Sequence, residues 1–166
     1  MYKESMNISY LLIGGNEGDR IGTMARARER IEAAAGAIPR QSGIYETAPW
    51  GKTDQADFVN QALLVETLLD APALLQTLLE IEIDMGRKRM EKYGSRIIDI
   101  DILFFNDAII RQPNLQIPHP ELQNRRFALV PLAEIAPDHL HPVLGRSVRE
   151  LLLNCTDPLA VKKLTT

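Results

Sequence analysis

Asp99 and Asp101 stand one residue apart inside the apolar run Ile97-Ile98-Asp99-Ile100-Asp101-Ile102-Leu103-Phe104-Phe105. A run of this composition reads as a buried or half-buried strand, and a strand places residues i and i+2 on one face. The two carboxylates therefore point the same way, close enough to repel, in surroundings that penalise charge. A divalent cation cancels that repulsion. Hard oxygen donors suit Mg²⁺, which takes one or two carboxylates together with substrate phosphates. Directly upstream, residues 85–96 hold five cations, Arg87, Lys88, Arg89, Lys92 and Arg96. Standing alone, an Asp-x-Asp pair equally suits the polar face of an edge strand. A basic loop feeding an acidic pair fits a polyphosphate, which needs both. The pattern G-x-x-x-x-G-K-[ST] is absent, because Gly14-Gly15-Asn16-Glu17-Gly18 lacks its Lys-Ser/Thr ending. Phosphate handling therefore falls to arginines and metal.

The elements that must position these groups follow from periodicity. Residues 8–13 predict a first strand, ended by the glycines at 14 and 15, which permit close approach of a ligand. A helix is expected over 20–35, with Ile21, Met24, Ala27, Ile31 and Ala34 at helical spacing, Asp19 as N-cap and Gly36 as terminator. Strands are expected near 41–46 and over 58–68, then a helix over 72–85 that opens on Pro72 and stops at Gly86. The acidic strand spans 97–105. Short extended pieces follow at 108–111 and 115–117, then a rigid Pro118-His119-Pro120 corner and short helices at 127–135 and 147–153. The tail after Pro158 is expected to fray. The core order β-α-β-β-α-β is that of an α+β, ferredoxin-like split βαβ fold, an antiparallel sheet with helices packed on one face.

With 166 residues, 45% hydrophobic and 25% charged, the chain suits one domain, 1–166, with a sizeable core. The net charge of −3 argues against nucleic acid as a partner, and an RNA-binding module would also want a basic sheet face. No apolar stretch approaches the ~18 residues of a membrane span, and residues 1–7 lack the apolar core of a signal peptide. Cys155 is the only cysteine, so no internal disulfide forms, and a reducing cytoplasm is the expected compartment. A monomer acting on small molecules, with no membrane partner, is the expectation.

The segment Lys92-Tyr93-Gly94-Ser95-Arg96-Ile97-Ile98-Asp99-Ile100-Asp101-Ile102-Leu103 resembles the signature of the 6-hydroxymethyl-7,8-dihydropterin pyrophosphokinases. Three further stretches carry the same likeness: Ile13-Gly14-Gly15-Asn16, residues 46–60, and Pro118-His119 through Asn124-Arg125-Arg126-Phe127. Together they extend the resemblance over roughly residues 7–154. The resemblance implies transfer of the pyrophosphate of ATP to the pterin hydroxymethyl group, giving AMP and the pterin diphosphate for folate biosynthesis. It implies two Mg²⁺ ions on Asp99 and Asp101. By the same likeness Arg87 and Arg96 bind phosphate and serve catalysis. Arg89, His119 and Arg125 join them on ATP, and Glu82 matches an adenine-side position. Phe58 and Phe127 match the aromatic pair that sandwiches the pterin, with a Phe at 58 where some relatives carry Tyr. Thr47 and Asn60 match positions on the pterin edge, and an amide offers both donor and acceptor. Pro49 and Trp50 stand in the loop beside the ring, Tyr93 holds an aromatic loop position where Trp is common, and Asn16 lies within approach of either substrate. The loops near Trp50 and Tyr93 are expected to close and exclude water. Lys88 and Lys92 are read as solvated, and His139 and His141 as structural or solvated. A non-catalytic nucleotide-binding domain on the same fold is the competing class. It would keep the arginines and dispense with the acid pair or the pterin slot.

Overall fold

The computed structural model describes residues 5–49, 54–87 and 96–164. In chain order the elements are β1 (Asn7–Gly15), α1 (Arg20–Ala34), β2 (Gly36–Gln41), β3 (Tyr45–Thr47), β4 (Phe58–Thr67), α2 (Ala71–Asp84) and β5 (Asp99–Phe105). They continue with β6 (Ile110–Gln112), β7 (Leu115–Ile117), a 3-10 turn at Leu122–Asn124, α3 (Arg126–Ile135), α4 (Val148–Leu153) and β8 (Val161–Lys163). The main sheet runs β5-β1-β4-β3-β8 with β2 also on β4, and every pairing is antiparallel. β6 and β7 form a separate hairpin. The fold is the expected ferredoxin-like α+β frame.

Local chemistry sets the helix ends. The Asp19 carboxylate accepts from Gly22 N–H at the start of α1, and Asp70 accepts from Ala73 N–H at the start of α2. Gly86, at φ +95°, lies just past the end of α2, a conformation that a side chain disfavours. α1 ends one residue early, on an Ala35 cap, and Gly36 opens β2 instead of ending the helix. Ser147 and Glu150 form a reciprocal capping box on α4.

Three expectations need correction. The single strand near 41–46 is two strands laid end to end along β4. Ser42 bridges the break: its N–H donates to Ala62 O at 2.9 Å and its hydroxyl accepts from Ala62 N–H at 2.9 Å. The tail is ordered as β8, which adds to the β3 edge. Lys163 reaches Glu134 at 3.1 Å, and Leu164 N–H donates to Ile44 O. Helices cover both faces of the sheet. Leu11, Ile13, Val59 and Leu63 pack on Met24, Ile31, Leu74 and Leu78 of α1 and α2. From the other face Leu12, Ala62, Leu103 and Phe104 pack on Leu129, Leu132, Val148 and Leu151 of α3 and α4.

That second face holds the point of interest. Along β5, Ile100 and Ile102 join the α1–α2 core, which turns Asp99 and Asp101 toward the α3 side. The β1–β5 register then shifts: Leu11 pairs with Ile102 and Tyr10 with Phe104. This bulge leaves Leu103 and Phe104 in the same α3-side core. The carboxylates lie past the end of that core, where α3 no longer covers the sheet with apolar side chains.

Candidate active site

A pocket of about 580 Å³ opens over the end of the sheet, within the range of small-molecule sites. Its floor is built across three strands. Asp99 of β5 pairs with Gly14 of β1, and Gly14 pairs with Asn60 of β4. Two strand spacings separate the carboxylate from the amide, about 10 Å. Gly14 is required between them: a Cβ there would stand 2.2 Å from Asn60 Oδ1 and 2.9 Å from Val59 O. Two pairs further along β1, Asp101 lies opposite Leu12, the other floor residue. β3 and β4 supply Thr47, paired with Phe58. Arg125 and Phe127, at the start of α3, line the pocket too.

Burial and mutual repulsion push Asp99 up to about 6, against the pull of Arg87, Arg96 and Arg125. Asp101 is likewise raised, by burial, with Arg125 and Arg87 opposing. The guanidinium groups are close but not on top of the acids: Arg87 Nη2 is 3.6 Å and Arg96 Nε 3.8 Å from Asp99 Oδ1. Glu82 of α2 is 2% exposed and pairs with Arg87, and its carboxylate also takes Ile100 N–H at 3.4 Å. Burial lifts it to about 7, with Arg87 opposing and the two aspartates adding to the lift. Among the described residues, three carboxylates and the arginines beside them thus share one strongly charged corner in which burial raises all three acids.

On the other side of the floor the groups are neutral. The Thr47 hydroxyl is buried with no hydrogen-bond partner among the described residues, and it lines the pocket with Asn60 and Phe58. An orphaned buried hydroxyl on a pocket wall is costly unless a ligand meets it. The Arg125 guanidinium lies 5.7 Å from the Phe127 ring centroid, so the charged and flat surfaces meet at this pair.

Eight of the residues singled out in the sequence therefore line one pocket: Thr47, Phe58, Asn60, Arg96, Asp99, Asp101, Arg125 and Phe127. Arg87 reaches the pocket's edge through Asp99. Glu82 faces Arg87 and the start of β5 and does not line the pocket. His119 lies in a second cavity, of about 310 Å³, with Gln116, Pro118 and His141. Its Nδ1 accepts from Glu121 N–H at 3.1 Å, which leaves the other ring nitrogen as the donor. Burial, with Arg125 adding to it, holds His119 down to about 4. Pro49 is described but does not line the pocket. Trp50, Lys88, Arg89, Lys92 and Tyr93 lie outside the described residues. Asn16 does not line the pocket either; its amide is engaged by Gln55, Ala56 and Arg96. His141 is buried, with Nδ1 accepting from Val143 and Leu144 N–H, and the His139 ring packs tilted against Phe104, centroids 4.5 Å apart. The sequence reading missed Leu12, Ala48 and Glu121 as lining residues. Leu12 was legible from alternation, since it shares a face with Gly14.

An open sheet end that gathers an acid pair, guanidinium groups and a neutral slot has the chemistry of a phosphoryl-transfer enzyme. Residues 10–137 match the model of the 7,8-dihydro-6-hydroxymethylpterin-pyrophosphokinase (HPPK) family, and the chain belongs to that family. A 2-amino-4-hydroxy-6-hydroxymethyldihydropteridine pyrophosphokinase of Methylorubrum extorquens is 40% identical over 95% of this chain and 99% of its own length. Its counterpart of Aquifex aeolicus is 40% identical over 85% of this chain and 88% of its own. Among solved structures, the HPPK-DHPS of Plasmodium falciparum with pteroate has a TM-score of 0.75 at 21% identity, over 92% of this chain. This chain spans 43% of that longer protein, and the likeness bears on the fold.

Proposed function

We propose that the pocket over the sheet end is where this protein performs its family's reaction, with the chain acting as one domain. That reaction transfers the pyrophosphate of ATP to the hydroxymethyl group of 6-hydroxymethyl-7,8-dihydropterin, giving AMP and the pterin diphosphate, a step of folate biosynthesis. What carries the reading is one row of side chains: Asp99 and Asp101 on one side of Gly14, and Asn60, Thr47 and Phe58 on the other. The row lays a charged half and a neutral half side by side, as a polyphosphate and a flat polar heterocycle would need.

The donor set fits Mg²⁺. Asp99 and Asp101 are both held above the carboxylate range by burial, and cation binding would relieve that. Among the described residues no group of three His, Cys, Asp or Glu side chains is placed to hold a metal. Two aspartates plus ATP phosphates are a usual Mg²⁺ set. Bound there, two ions would neutralise phosphate oxygens along the line of displacement.

The chain's own groups do the rest. Arg96 and Arg125 line the phosphate half, where a guanidinium donates two parallel hydrogen bonds to phosphate oxygens. Arg87 pairs with Glu82 and lies 3.6 Å from Asp99, so Glu82 acts by positioning it. His119, neutral at pH 7 and lying in the second cavity rather than in this pocket, offers an N–H donor there without adding charge. Phe58 and Phe127 flank the pterin, and Thr47 Oγ1 and the Asn60 amide meet its polar edge. Localisation in the cytoplasm and action as a monomer without nucleic acid complete the proposal. No helix among the described residues is long and apolar enough to cross a membrane.

The test is AMP formation from ATP, with Mg²⁺, as a function of added 6-hydroxymethyl-7,8-dihydropterin. The proposal requires AMP only when the pterin is present. ATP binding with no pterin-dependent AMP would mark a non-catalytic nucleotide-binding domain.

A further inference from the structure

The chain's last segment, residues 155–164, touches both walls of the neutral half of the pocket. One wall is β3, where Thr47 lines the pocket and pairs with Val161 of β8. The other is the first turn of α3, where Arg125 and Phe127 line the pocket on either side of Arg126. The N-cap position of α3 is Arg125, and its side chain makes no capping hydrogen bond. A guanidinium has no acceptor, so it cannot serve the orphan N–H groups of a helix start. The tail supplies the missing acceptor. Asp157, 5% exposed, accepts from Arg126 N–H through Oδ2 at 3.1 Å and from Leu159 N–H through Oδ1 at 3.0 Å. Arg126 closes the contact from its own side: Nε donates to Asp157 O at 3.1 Å and Nη2 to Cys155 O at 2.9 Å. From Asp157 to Val161 the chain spans at most about 14 Å, so it is a short tie between the two walls. Its far end is pinned as well, since Glu134 of α3 takes Lys163 at 3.1 Å and accepts from Tyr45 O–H at 2.5 Å.

We propose that Asp157 is a positioning residue for the pterin: it caps α3 from the tail and so sets Phe127 against the Thr47 wall. A carboxylate distant in sequence does the work of an N-cap side chain. The N-cap position is thereby released to carry an arginine that lines the pocket. Asp157 does not line the pocket itself, so its effect on the pterin runs through the first turn of α3. The inference rests on the functional reading above, because it uses that reading's pterin slot.

The test is a double-mutant cycle over Asp157→Ala and Phe127→Ala. It is read by calorimetric titration of 6-hydroxymethyl-7,8-dihydropterin with a non-hydrolysable ATP analogue and Mg²⁺ present. Asp157→Ala should weaken pterin binding by about 2- to 12-fold, the worth of an aromatic contact beyond its area. Made in the Phe127→Ala protein, the same substitution should change the affinity by less than about 2-fold, because the ring it positions is gone. Arg126→Met loosens the same tie from the helix side by removing the guanidinium bonds to residues 155 and 157. It should show the same dependence on Phe127, and it keeps the inference testable if Asp157→Ala folds poorly. A merely structural tie would lower the thermal midpoint and leave the pterin affinity of the folded protein unchanged, or weaken it by the same factor with and without the Phe127 ring. Either result, in Asp157→Ala or in Arg126→Met, overturns the inference. Failure of the wild-type protein to bind pterin even with the analogue present would instead overturn the functional reading.

Discussion

The same face of the same three strands does two different jobs at its two ends. At one end Tyr10 of β1 and Leu64 of β4 are paired, Phe104 of β5 lies beside Tyr10, and α3 and α4 seal them into a core. At the other end the matching positions are Gly14, Asn60 and Asp99, and they floor a pocket. Backbone pairing is continuous between the ends. The change lies in side chains at alternate positions, where apolar volume gives way to a glycine, an amide and acids. Packing at one end supplies the rigidity, and the other end holds carboxylates whose charge burial opposes. Groups that destabilise the free protein are then the ones a ligand stabilises.

The largest effect that would test this contrast comes from the acid pair. Asp101→Ala, or Asp99→Ala, should lower transfer by at least about 100-fold, the scale of losing one transition-state contact. Its thermal midpoint should equal or exceed that of the wild type, because a repelling buried charge is removed. A large fall in stability with activity retained would erase the distinction between the ends. Leu129→Ala, in the sealed core, should do the reverse and cost about 2–5 kcal/mol in denaturant unfolding, with kcat retained by the folded fraction.

Phe127→Ala sharpens the contrast within the pocket. It should weaken pterin binding by several-fold, given about 0.5–1.5 kcal/mol for an aromatic contact beyond its area, and leave ATP-analogue affinity nearly unchanged. Equal loss of both in calorimetry would contradict separate halves. The smallest effect concerns acid. His119 is held down to about 4 from 6.5, so the unfolded chain binds the extra proton between those values. Its contribution therefore falls as pH drops through that window. Relative to the wild type, His119→Gln should gain thermal stability as pH goes from 7 to 5. A difference independent of pH would sink that assignment.

How much of this was readable beforehand depended on range. Asp99 and Asp101 were legible as a pair because a period of two is a local property. The cap at Asp19, and Pro72 in the first turn of α2, were local too, whereas the Asp70 cap emerged only from the structure. The bulge at Leu103 was not, since two consecutive apolar residues carry no sign that both face α3. β8 was missed because its anchors, Glu134 and Tyr45, are distant in sequence. Lys163 binds the first at 3.1 Å and lies 5.9 Å from the ring centroid of the second. Helices on both faces were hidden for the same reason: Leu129 and Leu132 announce an apolar stripe but not which side of the sheet receives it. In the site, Thr47 could be named from motif likeness, but that its buried hydroxyl has no partner among the described residues is visible only in three dimensions.

The central claim is that the carboxylates of β5 hold divalent cation against ATP phosphates, and one measurement addresses it directly. Binding of a non-hydrolysable ATP analogue should be titrated with and without Mg²⁺, in the wild-type protein and in the folded double variant Asp99→Asn, Asp101→Asn. The account predicts that Mg²⁺ strengthens binding in the wild type and has no effect in the variant. An equal Mg²⁺ enhancement in both proteins would contradict it.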